Sequence, residues 1–411
     1  MKILHTSDWH LGKSLYGRKR YDEFKSFLDW LLDIIELEKT DAVLIAGDVF
    51  DTSTPSNKAQ ELYYNFISKA SGLCKGIVIT AGNHDSPTFL NAPKSLLKAL
   101  SIHVTGSITE NPEDEIVVLE DNKIPFAIIC AVPYLRDRDI RTVETGETAD
   151  DKNLKLISGI KEYYEKVCFL AKQEQDQLKT KGFDNIPIIC MGHLFAAGGT
   201  TIEGDGVREL YVGSLARTGT DIFPDFVDYT ALGHLHIPQK VSGKENVRYC
   251  GSPIPMGFGE AKQDKKIIIA EFNSKTPKIN EILIPCFQEL VKIKGSIDEI
   301  SEKIEELKEK KSSAWLEIEY TGSEVSGNLR QSIEEKIENT DMEIRRIKNK
   351  KIIESLKSSA QHEQTLDDLD VNQVFEKCLE AFEVNPEDKN DLISAYNLII
   401  NEILTEDKNA E

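Results

Sequence analysis

Five short stretches of the chain carry residue types that bind metal or move protons. They are Asp8-x-His10, Gly47-Asp48, Gly82-Asn83-His84-Asp85, Gly192-His193 and Gly233-His234-x-His236. Carboxylates, imidazoles and one amide oxygen make a mixed oxygen and nitrogen donor set. Such a set suits manganese, iron or zinc, and suits calcium poorly. The donors suffice for two clusters bridged by one carboxylate. Two ions about 3.5–4 Å apart can activate a water and hold the attacking and leaving oxygens of a phosphoryl group, so metal-assisted phosphoester hydrolysis is the expected chemistry. Asn83 would bind through its side-chain oxygen, and His84 would stabilise or protonate the leaving oxygen. Each motif alone is weak. The signal is the ordered set, with each member at the end of an apolar run. The other histidines, His5, His103 and His362, fall elsewhere and read as structural or surface residues.

The elements that must position these residues are legible around them. Apolar runs stand at 2–7, 41–47, 76–82, 126–132, 186–192 and 229–233, rich in Val and Ile, each ending at polar or glycine positions. They read as buried strands. "DEFKSFLDWLLDIIELE" and "NKAQELYYNFISKAS" read as helices between them. Alternating β and α elements indicate an α/β layered domain, and in such sheets ligands gather beyond the carboxyl ends of the strands. In "YTALGHLHIPQ", alternation along an extended chain puts His234 and His236 on one side with Leu235 turned away.

The expected domains are residues 1–275 as the site-bearing domain and 276–350 as a small α/β unit built from "AWLEIEY", "SGNLRQSIEEKIEN" and "MEIRRIKN". A polar linker, 351–365, and a helical tail, 366–411, follow. The tail shows two amphipathic patterns, one through Val374, Phe375, Cys378, Leu379 and Phe382, the other from Leu392 to Ile403 after Pro386. Two helices make too small a core to stand alone, so they must dock on their own protein or on a partner.

Composition bounds the classes. The 411 residues suggest two or three domains. No apolar run reaches the roughly 18 residues that span a bilayer, and the N-terminus lacks the pattern of a signal peptide. The seven cysteines include no C-x-x-C pair and read as core residues in a reducing cytosol. The net charge of −20 argues against a broad electrostatic grip on nucleic acid. Half of that excess, however, lies in residues 351–411, which hold 5 basic and 15 acidic side chains. Local contact, or contact through a partner, stays open.

The ordered set resembles that of the calcineurin-like metallophosphoesterases. Longer strings narrow the resemblance: "LHTSDWHLGK", "AGDVFDT", "AGNHDS", "YTALGHLH" and "VRYCGSPIPMGFGE" are similar to the bacterial SbcD nuclease-subunit family, with "SDWHLGK" and "CGSPIP" the most specific. The resemblance spans the chain and is strongest over 1–260. It implies a layered metallophosphoesterase β-sandwich flanked by helices, with a small α/β capping domain and a C-terminal helical tail. It also implies one ion held by Asp8, His10, Asp48 and His236 and a second by Asp48, Asn83, His193 and His234. His84 would be the catalytic histidine, oriented by Asp85. Archaeal and eukaryotic relatives carry a second catalytic histidine where this chain has Asp51; a capping or turn role ahead of "TSTPS" is the simpler reading there.

The resemblance further implies manganese-dependent hydrolysis of DNA phosphodiesters, as an exonuclease on duplex ends and an endonuclease at hairpins and single strands. It implies a cytoplasmic, nucleoid-associated protein working with an SbcC-type coiled-coil ATPase, to which the tail would dock. Candidate phosphate contacts are Arg18, Lys19 and Arg20 in "YGRKRY" and Arg136, Arg138 and Arg141 in "YLRDRDIR". A homodimer would form through "ELYYNFI" and "KSLLKAL", helices that must also bury a face against the sheet. The alternatives are another phosphoesterase of the same fold, a nucleotidase or phosphatase, and a non-catalytic scaffold.

Overall fold

The computed structural model describes residues 1–140, 147–196, 222–273, 276–322 and 329–349, together with Phe375, Leu379, Leu392, Ile393 and Tyr396. The strands in chain order are β1 (Lys2–Thr6), β2 (Ser14–Leu15), β3 (Arg18–Lys19), β4 (Ala42–Ala46), β5 (Gly76–Thr80) and β6 (Ile102–Thr105). Next come β7 (Ile116–Asp121), β8 (Ile124–Ala131), β9 (Ile188–His193), β10 (Tyr229–Gly233), β11 (Gln239–Lys240) and β12 (Val247–Tyr249). Last are β13 (Lys266–Glu271), β14 (Lys278–Leu283), β15 (Leu290–Gly295), β16 (Trp315–Tyr320) and β17 (Glu343–Asn349).

Among the described residues two six-stranded sheets form, ordered β14-β13-β1-β4-β5-β6 and β11-β12-β10-β9-β8-β7. Their centres are parallel: β1, β4, β5 and β6 in one, β8, β9, β10 and β12 in the other. Antiparallel strands β13, β14, β7 and β11 close the edges. The sheets pack face to face, as strand alternation requires. Ile3, Leu44, Ile129, Met191 and Ala231 share the core between them. Leu4, Val43, Ile45 and Ile79 turn outward under helices α1 (Tyr21–Leu37) and α2 (Asn57–Ala70), which bury Phe24, Phe27, Leu31, Tyr63 and Phe66 there. On the far side Ile128, Cys130 and Cys190 meet Ile160, Tyr164 and Val167 of the long helix Ala149–Thr180. A strand that is buried on both faces of a sheet reads as a continuous apolar run, which is why these strands stand out in the sequence. The chain is therefore an α/β protein with helix, sheet, sheet and helix layers.

The compact units divide between Val291 and Lys292. Strand β14 pairs along its length with β13 and so extends the first sheet of the larger unit. The smaller unit holds the sheet β15-β16-β17. Two helices, Ile297–Glu309 and Leu329–Ile337, supply Ile300, Ile304, Leu307 and Ile333 to its core with Leu316 and Ile318. The first opens with a capping box, Ser296 and Glu299 each bonding the other's backbone N–H. Most of 351–411, including Val374, Cys378, Phe382 and Pro386, lies outside the described residues. Within it, the Phe375 and Tyr396 rings stack with centroids 3.9 Å apart.

Candidate active site

The carboxyl ends of β1, β4, β5, β9 and β10 lie along one edge of the sandwich, and the expected donors meet there. Asp8, His10, Asp48, His193 and His236 are all at most 2% exposed. Three donor groups lie close enough to hold an ion: Asp8, His10 and His236; His10, Asp48 and His84; Asp8, Asp48 and His193. The backbone is bent to bring them there. Asp8, His10, Asp48 and His234 have φ of 53°, 48°, 49° and 99°. Left-handed conformations of non-glycine residues cost about 1–3 kcal/mol each and cluster at functional sites. The local Gly residues make room: a Cβ on Gly82 would stand 2.1 Å from Asp48 Oδ1, and Gly47 takes φ 85° beside the His193 ring.

The nitrogen geometry speaks for cations. His236 Nδ1 faces Glu260 Oε1 at 3.3 Å, and His10 Nδ1 lies 3.4 Å from Asp51 Oδ1. A carboxylate only accepts, so Nδ1 of His236 carries a proton, whereas Nδ1 of His10 is buried without a hydrogen bond; the Nε2 atoms of the two rings face each other. Those two Nε2 atoms are 3.2 Å apart. Two donors about 2.1 Å from a common ion at near a right angle stand roughly 3 Å apart. The second group is built around His193 and His234. His193 donates from Nδ1 to Ala46 O at 2.9 Å, which turns its Nε2 to Asn83 Oδ1 at 3.1 Å and Asp48 Oδ2 at 3.3 Å. His234 Nδ1 stands 3.0 Å from the same Asn83 oxygen. Asp48 Oδ2 is 3.6 Å from His10 Nε2, between the two groups, while its Oδ1 accepts the His84 N–H at 2.9 Å. These residues fit two divalent ions that share Asp48.

The imidazoles divide in charge: burial lowers His236, but Glu260 and Asp8 outweigh it and raise it above the ordinary histidine range. Burial pulls His10 down to about 4 against the neighbouring Asp51 and Asp48, and pulls His234 down to about 3, helped by His193. Burial acts the same way on His193, but the Asp48 and Asp8 carboxylates outweigh it and hold this imidazole up at about 9. Asp48 is correspondingly held well below its ordinary range despite burial, chiefly by His193. A metal ligand must be neutral imidazole. Ion binding below pH 9 therefore displaces a proton from His193, and from that group alone affinity falls about tenfold for each unit of pH below 9. Manganese titration in weak buffer at pH 7.5, followed with an indicator dye, should release about one proton per chain. A titration without proton release would contradict this charge state.

The pattern of the calcineurin-like phosphoesterase family matches residues 1–238, and that of the "Type 5 capsule protein repressor C-terminal domain" family (SbcD_C) matches 286–382. The SbcD subunit of the SbcCD nuclease of Escherichia coli K12 is 34% identical over 388 residues, 94% of each chain. That of Bacillus subtilis 168 is 32% identical over 324 residues, 78% of each chain, and that of Rhodobacter capsulatus 33% identical over 280 residues, 66% of each. The chain belongs to the SbcD family.

As in the rest of the site, His84 is held by its neighbours. It sits at the rim, 9% exposed, with Nδ1 donating to the Asp51 carbonyl oxygen at 2.8 Å. That bond fixes the ring through Nδ1. Asp85, expected to orient His84, spends its oxygens on backbone: it accepts from Gly82 N, Val49 N and Phe50 N at 2.8, 3.2 and 2.9 Å. It ties the loop after β5 to the loop after β4. Asp51 is more than a turn residue. Its carboxylate lies between His10 and Lys13, whose Nζ is 3.0 Å away.

The basic candidates divide. Arg18 and Lys19 are exposed on β3. Arg20 is not a surface residue: it is 2% exposed, donates twice to Glu23 at 2.7 and 2.8 Å and once to Pro255 O at 2.6 Å. Its donors are committed inside the protein, so it is corrected to a structural role. Arg138 is exposed beside Asp139, Arg136 is half-buried, and Arg141 lies outside the described residues. Of the expected dimer residues, Leu62, Tyr63 and Phe66 are buried in the chain's own core and Leu97 is 5% exposed, whereas Leu96 and Leu100 face solvent. The residues that sequence reasoning passed over are Glu260 and Lys265. Glu260 does stand in the string "CGSPIPMGFGE", but nothing local marks it as a neighbour of His236.

Proposed function

We infer that this chain is the nuclease component of an SbcCD-type complex, a metal-dependent hydrolase of DNA phosphodiesters. The observation that carries the reading is the convergence of the His10, His193 and His236 ring nitrogens with one shared buried carboxylate, Asp48, at the strand ends. Asp8, His10, Asp48 and His236 hold one divalent ion; Asp48, Asn83, His193 and His234 hold the other. Manganese is the ion we assign to both. When bound, the pair supplies a nucleophilic water at neutral pH and positive charge for the phosphoryl oxygens. The chain's own residues do the rest. Asp48 fixes the spacing of the two positions. His84, locked by its Nδ1 bond to Asp51 O, presents Nε2 to the leaving oxygen, and in its doubly protonated form gives it the Nε2 proton and becomes neutral. Buried Asp85 keeps the His84 and Asp48 loops in register.

The small α/β unit expected at 276–350, which begins at Lys292 in the structure, forms the DNA-facing cap in this reading. Lys292, Lys294, Arg346 and Lys348 there surround Glu317 and Glu319 with ion pairs of 2.8–4.0 Å, leaving a surplus of two positive charges on that part of the sheet. Arg18, Lys19, Arg136, Arg138 and Arg141 add further phosphate contacts. The tail, 366–411, docks on an SbcC-type coiled-coil ATPase, which supplies much of the grip that an acidic chain lacks. Exposed Leu96 and Leu100 suit a homodimer contact. Among the described residues no helix is long and apolar enough to cross a membrane, and a DNA substrate fits a cytoplasmic, nucleoid-associated location.

The experiment compares substrates. With manganese, the chain should cut a DNA hairpin and linear duplex ends and leave free nucleoside monophosphates intact. Hydrolysis of the nucleotides with DNA untouched would instead make it a nucleotidase of the same fold.

A further inference from the structure

Beside the metal ligands lies a buried group that the hydrolysis does not use. Glu260 is fully buried, and Lys265 is 5% exposed. Glu260 Oε2 accepts the Met256 N–H at 3.1 Å, lies 3.2 Å from Ser252 Oγ and pairs with Lys265 Nζ. Lys265 Nζ also donates to Ser252 Oγ at 2.9 Å and to the His236 carbonyl oxygen at 3.1 Å. The remaining carboxylate oxygen, Oε1, faces His236 Nδ1 at 3.3 Å. These contacts fix the carboxylate and the backbone of His236; Lys265 Nζ also lies 3.4 Å from Gln263 Oε1.

A buried ion pair is weak evidence of stability, because desolvating two charges costs about as much as their attraction returns. Its position here gives it another use. Imidazoles that bind metal commonly hand their other N–H to a carboxylate, which fixes the tautomer and raises the basicity of the ligating nitrogen. The two proposed ion positions differ in this respect. His236 has a carboxylate hydrogen-bonded at Nδ1, Glu260, whereas His193 has only the Ala46 carbonyl there.

We propose that Glu260, held by Lys265, Ser252 and the Met256 N–H, is a positioning residue that sets the tautomer and orientation of His236 and thereby strengthens one of the two ion positions. This rests on the two-ion reading above. The position built on Asp8, His10 and His236 is then the tighter of the two and fills first.

The test is manganese binding to the full chain by calorimetry and electron paramagnetic resonance, alongside hairpin cleavage as a function of manganese. Wild type should bind two ions with unequal affinity. Glu260→Ala should weaken the tighter ion by about 10- to 100-fold, leave the weaker one in place, and recover wild-type kcat at saturating manganese. Glu260→Gln, whose amide oxygen can still accept from Nδ1, should lose less; it also decides the matter if the alanine variant does not fold. Unchanged binding of both ions in the variants would overturn the role of Glu260 alone. So would equal weakening of both ions with a lowered melting temperature of the metal-free protein, the mark of a merely structural residue. Fewer than two ions in wild type would overturn the site reading and this inference with it.

Discussion

His84→Ala keeps two ions per chain and slows hairpin cleavage by about 10²- to 10⁴-fold, the usual contribution of a positioned general acid. In barrier terms that is roughly 3–5 kcal/mol. The expectation follows from where the ring is anchored. His84 is tied to the loop by its Nδ1 bond to Asp51 O and by its backbone N–H to Asp48 Oδ1. Alanine keeps the second bond, so Asp48 stays in place and the ion positions survive. What disappears is the Nε2 atom at the rim, the carrier of the proton for the leaving oxygen. The loss should fall on kcat, because an interaction made only as the leaving oxygen gains charge does not contribute to ground-state binding. Metal content measured on the same preparation checks the assignment. Loss of an ion in His84→Ala would make this histidine a ligand, a use its place in the His10–Asp48–His84 group allows sterically.

Asp48→Asn has the larger effect. Asn keeps the size of Asp and an oxygen to accept the His84 N–H, but it removes the negative charge that faces His10 and His193 together. Both ion positions share that charge, so both weaken. Cleavage at fixed manganese should fall by roughly 10⁴-fold, well beyond the 10- to 100-fold typical of residues that only support a ligand. Metal content should drop below one ion per chain after dialysis. The same variant should lose most of the proton release seen on titration, since His193 is held protonated chiefly by Asp48. Retention of two tightly bound ions would refute the bridging assignment.

The site was legible in the sequence because its residues sit where periodicity breaks. Each ligand follows an apolar run of β-branched residues, and the end of such a run is where an open parallel sheet presents its loops. All six apolar runs are strands, and His234 stands near Asn83 while His236 stands near His10. What was not legible depends on long-range contact. The pairing of β14 with β13 assigns residues 278–283 to the first sheet, and no local pattern marks that choice. "YGRKRY" looks like a basic loop, yet Glu23 lies one helical turn beyond Arg20 and draws its side chain inward. Asp85 follows His84 directly, but its carboxylate turns to three backbone N–H groups of neighbouring loops. Glu260 reaches His236 across 24 positions of chain. In each case the partner was chosen by the fold, and sequence spacing carries no record of it.

Hydrolysis of DNA by two ions sharing Asp48 is the central claim. Its most direct test is the rate of hairpin cleavage measured against the number of manganese ions bound per chain. The predicted result is negligible cleavage with one ion bound and full activity only as the second position fills. Full activity at one ion per chain, or cleavage that persists in excess chelator, would contradict it.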